Sequence, residues 1–354
     1  MDQVPILLEG PLKNQETGDS TDQEVDMQKL LTVVVPVFKV ESYINKCLDS
    51  LLAAPDWMEK LEVVIVNDGT PDNSAEMSRE YVKRYPETFR QIDKENGGHG
   101  SAWNVGLKEA TGKYLRFLDS DDWFTNLDRL MEDLDKCEAD IVFNPFVKEY
   151  AYENRFETVN PLPVMGETSI DAASWGAPQW GGYNNFNFWS TTYKTEILRP
   201  LHPLFAEKAM FDDFIITWAP LVYGRTYISL DYPVYHYLLG RPGQSMSVTQ
   251  QRKSALSYLK CFGQYETTRS RIDERLVPAD LLDRIDEAIT GYAGLIFASM
   301  IYLPLKESLG TMAYLWKNYI ADNPTKSKLQ KRYAAMPGVV FYYVEHLRRK
   351  IKRI

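Results

Sequence analysis

Apolar and polar positions fall into alternating blocks along the first 150 residues. Leu30 to Val37 is an apolar run rich in valine, with the length and composition of a strand buried on both faces. Glu41 to Leu52 then carries apolar positions at helical spacing. Leu61 to Val66 is a second buried strand, closed by Asn67-Asp68-Gly69. Ser74 to Tyr85 reads as a helix and Gln91 to Asp93 as a short third strand. Asn96-Gly97-Gly98-His99-Gly100 is a flexible loop that opens a helix over Ser101 to Ala110. Tyr114 to Leu118 is a strand ending in Asp119-Ser120-Asp121-Asp122. Asn126 to Cys137 is a helix and Asp140 to Phe146 another strand. Strands alternating with helices through short connections predict an α/β fold whose sheet is mostly parallel and flanked by helices. Ligands of such sheets bind beyond the carboxyl ends of the strands, where Asn67-Asp68 and Asp119 to Asp122 stand.

The pattern changes after residue 150. Trp175, Trp180, Tyr183, Phe186, Phe188 and Trp189 make the next stretch aromatic and irregular, suited to a sugar site or a loop-rich core. From Gln251 the chain reads as helices, over Ser254–Arg271, Pro278–Met300 and Leu309–Ile320. Residues 1–28 are acidic and unpatterned, and are expected to be a disordered extension.

Composition adds little until charge is mapped. With 354 residues, 44% hydrophobic and 25% charged, the chain is an ordinary globular one. Its net charge of −9 argues against a general nucleic-acid binder. Between Lys326 and Ile354, however, nine basic residues face one acid, Glu345. On a helix there, Val340, Val344, Leu347, Ile351 and Ile354 line one side, and Arg348, Arg349, Lys352 and Arg353 the other. That is the pattern of a helix lying on an anionic membrane surface. The plain alternatives are a terminal helix packed on the protein and a homodimer contact. Cys47, Cys137 and Cys261 form no CxxC pair, no apolar run reaches 18 residues, and the first residues lack a secretory pattern. The expectation is a cytoplasmic protein, peripheral on the inner face of the membrane.

The chemistry begins at Asp119-Ser120-Asp121. On an extended backbone, side chains two residues apart point the same way, about 6–7 Å apart, so both carboxylates can grip one divalent cation. Mn²⁺ and Mg²⁺ prefer such oxygen ligands and bridge to diphosphates. Asp122 reads as a cap for the following helix. Asp68 can accept the N3–H of uracil, or simply serve an Asp-Gly turn.

Four stretches, in order, resemble the family 2 glycosyltransferases, enzymes of GT-A fold. They are Thr32 to Phe38, Val64 to Thr70, Asn96 to Asn104, and Asp119 to Trp123. Phe211-Asp212-Asp213-Phe214 and Tyr235 to Ser247 resemble later motifs of a bacterial subgroup. The resemblance covers about residues 30–250. It implies a GT-A nucleotide-sugar-binding and catalytic domain over 29–250; the helical region over 251–354 lies outside its motifs. It also implies a nucleotide-sugar donor, with a glycan, lipid-linked or protein acceptor. Carried over residue by residue, Pro36, Val37 and Phe38 border the base, with Glu41 nearby, and Asp68 reads the uracil. Gly97 and Gly98 admit the donor closely. Asp119 contacts ribose or metal, and Asp121 ligates the metal. Arg241, Gln244 and Ser245 hold the diphosphate. Asp213 is the general base of an inverting transfer, with Asp212 standing where the family has Glu. Its apolar neighbours would raise its pKa, although capping of the following helix is the bland reading. His236 is either a core histidine or a third metal ligand, and His99 is equally ambiguous.

Other classes fit less well. The glycine fingerprint of a nicotinamide dehydrogenase is missing at Pro36 to Val40. A processive polysaccharide synthase needs transmembrane helices and a Gln-x-x-Arg-Trp segment. A nucleotidyltransferase needs a basic glycine-rich loop after the first strand. A non-catalytic nucleotide-sugar scaffold remains as the alternative, and must explain four intact acids.

Overall fold

The computed structural model describes residues 29–151, 153–160, 165–170, 188–240, 251–300, 303–322, 328–335 and 338–351. Arg241, Gln244 and Ser245 therefore lie outside the described residues, as do Trp175, Trp180, Tyr183 and Phe186.

Seven-residue apolar runs form the centre of the sheet. β1 (Leu31–Val37) and β2 (Leu61–Asn67) are buried along their whole length and pair in parallel, Leu31 with Leu61 through Val37 with Asn67. Between them run α1 (Ile44–Ser50) and a connecting turn. After β2 come α2 (Ser74–Arg84) and β3 (Phe89–Asp93), which begins before the predicted Gln91. α3 (His99–Glu109) leads to β4 (Tyr114–Phe117), and β5 (Trp123–Phe124) and α4 (Leu127–Lys136) follow. The strand expected over Asp140 to Phe146 is two strands, β6 (Ile141–Phe143) and β7 (Phe146–Tyr150). Pro145 between them has no N–H to donate to a ladder, and the chain changes sheets there. β8 (Arg155–Val159), β9 (Met165–Ser169), β10 (Thr191–Lys194), α5 (Thr195–Leu198), β11 (Thr226–Ser229) and β12 (Tyr235–Leu239) complete this part.

The large sheet has the order β3-β2-β1-β4-β10-β6-β11-β9, and a smaller one the order β5-β12-β7-β8. β3, β2, β1 and β4 are parallel, as is β6 with β11, whereas β10 runs antiparallel between β4 and β6. This is the α/β architecture expected, with helices packed against a large central sheet. β4 pairs with β1 only as far as Phe117 opposite Val34. Pro36 lies past that point, so its missing N–H costs no bond on the β4 side.

The C-terminal region is helical: α6 (Gln251–Ser270), α7 (Ala279–Ser299), α8 (Leu305–Leu315) ending in a wide π turn over Trp316–Ile320, α9 (Lys328–Ala334) and α10 (Gly338–Ile351). Among the described residues, no helix is long and apolar enough to cross a membrane. α10 docks through Phe341 and Tyr342, both buried; Phe341 lies 6.2 Å from Phe297 and 5.2 Å from Tyr333, ring to ring, and the Tyr342 hydroxyl donates to the Leu303 carbonyl (2.9 Å). Neither residue belongs to the apolar stripe read from the sequence. Val340, which does, is 48% exposed.

Candidate active site

Polar residues gather just past the carboxyl ends of β2 and β4. Asp68, one residue past β2, is buried. Its carboxylate accepts from the backbone N–H groups of Gly97 and Gly98 (2.8 Å each) and from Lys94 Nζ (2.7 Å). Asn96 Nδ2 donates to the Asp68 carbonyl (2.9 Å). The carboxylate thus organises the glycine loop, a role the sequence did not reveal; Lys94 was not singled out at all. Gly98 has φ +86°, a left-handed conformation that side chains rarely adopt, and a Cβ there would press on the backbone of Lys208. The loop is locked to that segment by Lys208 N–H donating to the Gly97 carbonyl (2.6 Å).

Past β4, Asp119, Asp121 and Asp122 converge, with one carboxylate oxygen of each lying within 4.8 Å of the others. Asp122 is buried and firmly held. The Tyr235 hydroxyl donates to its Oδ2 (2.6 Å) and Leu238 N–H to its Oδ1 (2.8 Å). Burial, then the charges of Asp121 and Asp119, push it well above the usual carboxylate range. The same Tyr235 hydroxyl accepts from Asp119 N–H (3.2 Å). Tyr235 therefore fixes two of the three acids, which sequence reasoning missed because its partner lies 113 residues away.

The acids form an all-oxygen donor set, the kind that Mn²⁺ and Mg²⁺ take. The donors nearer solvent are Asp119 and Asp121. His236 is not in this group. A strand sends successive side chains to opposite faces, so Tyr235 meets the acids while His236 points the other way. Its ring stacks on Trp123 (5.5 Å between centroids, 26° between planes), with Glu149 3.6 Å from its Nδ1, and burial holds its pKa below the ordinary value. Lys46 lies over the other ring contact of this cluster, 3.0 Å from the Trp123 centroid.

The short helical turn Asp212–Thr217 carries the acid pair. Phe211 before it is left-handed, with φ +64°, a strained state for a bulky residue. Stacking holds it: Phe211 on Tyr258 (5.0 Å) and Phe214 on Tyr292 (4.6 Å), so α6 and α7 support the turn from behind. Asp213 is pushed up to about 7, first by burial and then by the charge of Asp212, against a smaller opposing pull from His99. Asp212 is nearly fully buried, and its Oδ1 lies 3.2 Å from His99 Nδ1. His99 Nε2 lies 2.8 Å from Asp119 Oδ1. Burial opposes protonation of His99, but the combined charges of Asp212 and Asp119 outweigh it and raise the pKa well above the ordinary value.

Pro36 and Val37 end β1 opposite Val66 and Asn67, and Phe38 beyond them is 41% exposed. Glu41 accepts from Asn73 Nδ2 (3.0 Å), tying the turn before α1 to the start of α2. Asn104, from the third motif, is buried and grips the far wall: Leu204 and Phe205 N–H donate to its Oδ1 (2.9 Å each), and its Nδ2 donates to the Phe205 carbonyl (2.9 Å). Of the aromatic stretch, Phe188 and Trp189 lie among the described residues, and Trp189 stacks on Tyr237 at 5.0 Å and 17°.

The sequence profile of Glycosyl transferase family 2 matches residues 32–192. The uncharacterized glycosyltransferase MG025 of Mycoplasma genitalium is 30% identical over 224 residues, 62% of this chain and 71% of that protein. The uncharacterized glycosyltransferase EpsJ of Bacillus subtilis is 40% identical over 125 residues, 35% of this chain and 36% of its own length. The minor teichoic acid biosynthesis protein GgaB of the same organism is 33% identical over 147 residues, 38% of this chain. The chain spans 36%, 22% and 16% of the length of three curated relatives, EpsJ, GlyA of Streptococcus pneumoniae and GgaB. In fold it is similar to S. aureus TarS 1-349, solved with UDP-GlcNAc, at TM-score 0.54 and 17% identity, covering 84% of this chain and 93% of that one. This chain belongs to the family 2 glycosyltransferases, with a GT-A fold and a helical C-terminal region.

Proposed function

We propose that the chain moves a sugar from a UDP-sugar to an acceptor hydroxyl with inversion, using Mn²⁺ or Mg²⁺, in bacterial polysaccharide or glycoconjugate synthesis. The observation that carries this reading is a pair of acid groups joined through one histidine. Three carboxylates converge at the end of β4, and His99 links Asp119 of that group to Asp212, whose neighbour Asp213 is raised to about 7. Asp119 and Asp121 would hold the cation, which supplies neutralisation of charge on the departing diphosphate. Asp213 would take the proton of the acceptor hydroxyl; a base is most effective when its pKa lies near the working pH. Gly97 and Gly98 leave room for the donor, and the strand ends at Pro36, Val37 and Phe38 border the base. Asp68 reads the uracil with the capacity its loop contacts leave, three donors being engaged where a carboxylate has about four acceptor positions. Arg241, Gln244 and Ser245 remain candidates for the diphosphate from the resemblance alone.

A catalytic unit over 29–250 is supported by β12, whose Tyr235 and Leu238 hold Asp122. The UDP reading is supported by TarS, solved with UDP-GlcNAc, and the pathway by GgaB, named for teichoic acid synthesis. The acceptor is a lipid-linked glycan, with a protein acceptor as the alternative. Peripheral contact with an anionic membrane through the tail is supported by α10, whose docking residues leave Val340 exposed; a homodimer contact is the other use of that face.

The test is a screen of nucleotide sugars with Mn²⁺, Mg²⁺ or EDTA, following release of the nucleoside diphosphate. Metal-dependent turnover of a UDP-sugar is expected. Binding of donors without turnover, against a panel of lipid-linked and protein acceptors, would make the chain a scaffold.

A further inference from the structure

His99 occupies a position that neither the metal reading nor the base reading uses, yet it touches both groups of acids. Its backbone is fixed from the N-terminal side, because Gly98 N–H is held by buried Asp68 (2.8 Å) and Gly98 takes a left-handed conformation. Its ring is fixed from below by Trp103, 3.9 Å away between centroids. Trp103 is itself fully buried among Phe117, Phe188 and Phe205, at 4.5–4.9 Å. Both ring nitrogens are engaged, Nε2 with Asp119 at 2.8 Å and Nδ1 with Asp212 at 3.2 Å.

Asp212 depends on this contact. Its Oδ2 is buried with no hydrogen-bond partner among the described residues, enclosed against Gly100, where any Cβ would collide with it. Its other oxygen is hydrogen-bonded to His99. A buried carboxylate with one of its oxygens unpartnered is expensive, so the remaining bond decides where it sits. The next residue is Asp213, and the residue before is strained Phe211.

We propose that His99 is the positioning residue of the transfer step: it ties donor-side Asp119 to Asp212, and through Asp212 fixes the Asp213 carboxylate relative to the reacting sugar. This rests on the glycosyl-transfer reading above. An imidazole suits the task because its two nitrogens face different directions on one rigid ring. A lysine would supply charge without a fixed span.

The two nitrogens can be removed separately. An asparagine amide reaches roughly where Nδ1 sits, and a glutamine amide roughly where Nε2 sits. His99→Ala, His99→Asn and His99→Gln are compared for UDP binding with Mn²⁺ by calorimetry and for steady-state transfer, with near-UV circular dichroism to confirm folding. His99→Ala should bind UDP within about threefold of wild type while kcat falls about 10- to 100-fold, within the range that placement of a catalytic group commands. His99→Asn should recover most of kcat and His99→Gln little. The double variant His99→Ala/Asp212→Asn should be no slower than the slower single variant, because both break one link. Wild-type kcat in His99→Ala overturns the proposal, as do additive losses in the double variant. Recovery by Gln but not Asn overturns the route through Asp212. A wild-type chain that transfers no sugar, tested in the same series, overturns the glycosyl-transfer reading and this one with it.

Discussion

Replacing Asp213 by asparagine should slow transfer by orders of magnitude and at the same time stabilise the protein. The carboxyl is raised from its ordinary 3.8 to about 7, mainly because burial disfavours the charged form. A rise of roughly three units corresponds to about 4 kcal/mol at full ionisation, at 1.36 kcal/mol per unit. The sign follows from proton counting. The folded chain holds the Asp213 proton more tightly than the unfolded chain, so between pH 4 and 7 unfolding releases it. Stability therefore falls as pH rises through that window and levels off above about 7. Asparagine has no proton to release. The variant should match wild type near pH 4 and exceed it increasingly up to pH 7. Between pH 5.5 and pH 8 its advantage should grow by about 2 kcal/mol. Urea unfolding followed by tryptophan fluorescence at the two pH values measures this directly. Turnover at pH 8 should drop by about 10² to 10⁴, the usual worth of a general base, with UDP affinity retained. An advantage that does not change with pH would show that Asp213 is not held in an unfavourable charged state. A variant that still turns over, with Asp212→Asn silent, would reverse the two acids.

Asp121→Ala should lose nearly all turnover and most metal-dependent donor affinity while staying folded; titration of UDP in the presence of Mn²⁺ checks it, and unchanged affinity would remove the metal assignment. Asp68→Ala should narrow a preference for UDP over GDP, CDP and ADP. It should also destabilise the fold by about 2–4 kcal/mol, because two backbone N–H groups, one of them buried, and Lys94 lose their acceptor; competition binding across the four diphosphates and denaturant titration read the two effects separately. Full-length chain should sediment with vesicles containing anionic lipid and be released by high salt, whereas a chain ending at Pro337 should remain in solution; equal behaviour would leave α10 a structural helix.

Much of the framework was legible because its signals are local. The buried valine-rich runs located β1 and β2 to within one residue at an end, and the polar strand ends picked out Asp68 and the Asp119 to Asp122 group. What escaped was set by contacts distant in sequence. Tyr235 reaches Asp122 across 113 residues, and His99 reaches Asp212 across the same separation. Asp122 read as a helix cap because nothing nearby reveals a tyrosine donor. His236 was grouped with the metal ligands by chemistry, although counting alternate residues from Tyr235 turns it to the opposite face of β12. The break at Pro145 was available in the sequence, since proline cannot continue a ladder. The tail shows a different limit: its apolar stripe is a pattern of the sequence alone, whereas among the described residues Phe341 and Tyr342, beside the stripe, are buried.

The placement of β10 has a consequence for how the chain emerges from the ribosome. β3, β2, β1 and β4 are complete once residue 117 has been made, and their pairings are short in sequence. The next strand in space is β10, which begins at Thr191, some seventy residues later. Until it arrives, β4 is an open edge of apolar sheet, and β6 has no neighbour to carry it into the sheet. An exposed apolar edge recruits other strands, its own copies included. Nascent chains stalled or cut between residues 120 and 190 should therefore be the aggregating species, and chaperone dependence should end abruptly when β10 closes the sheet.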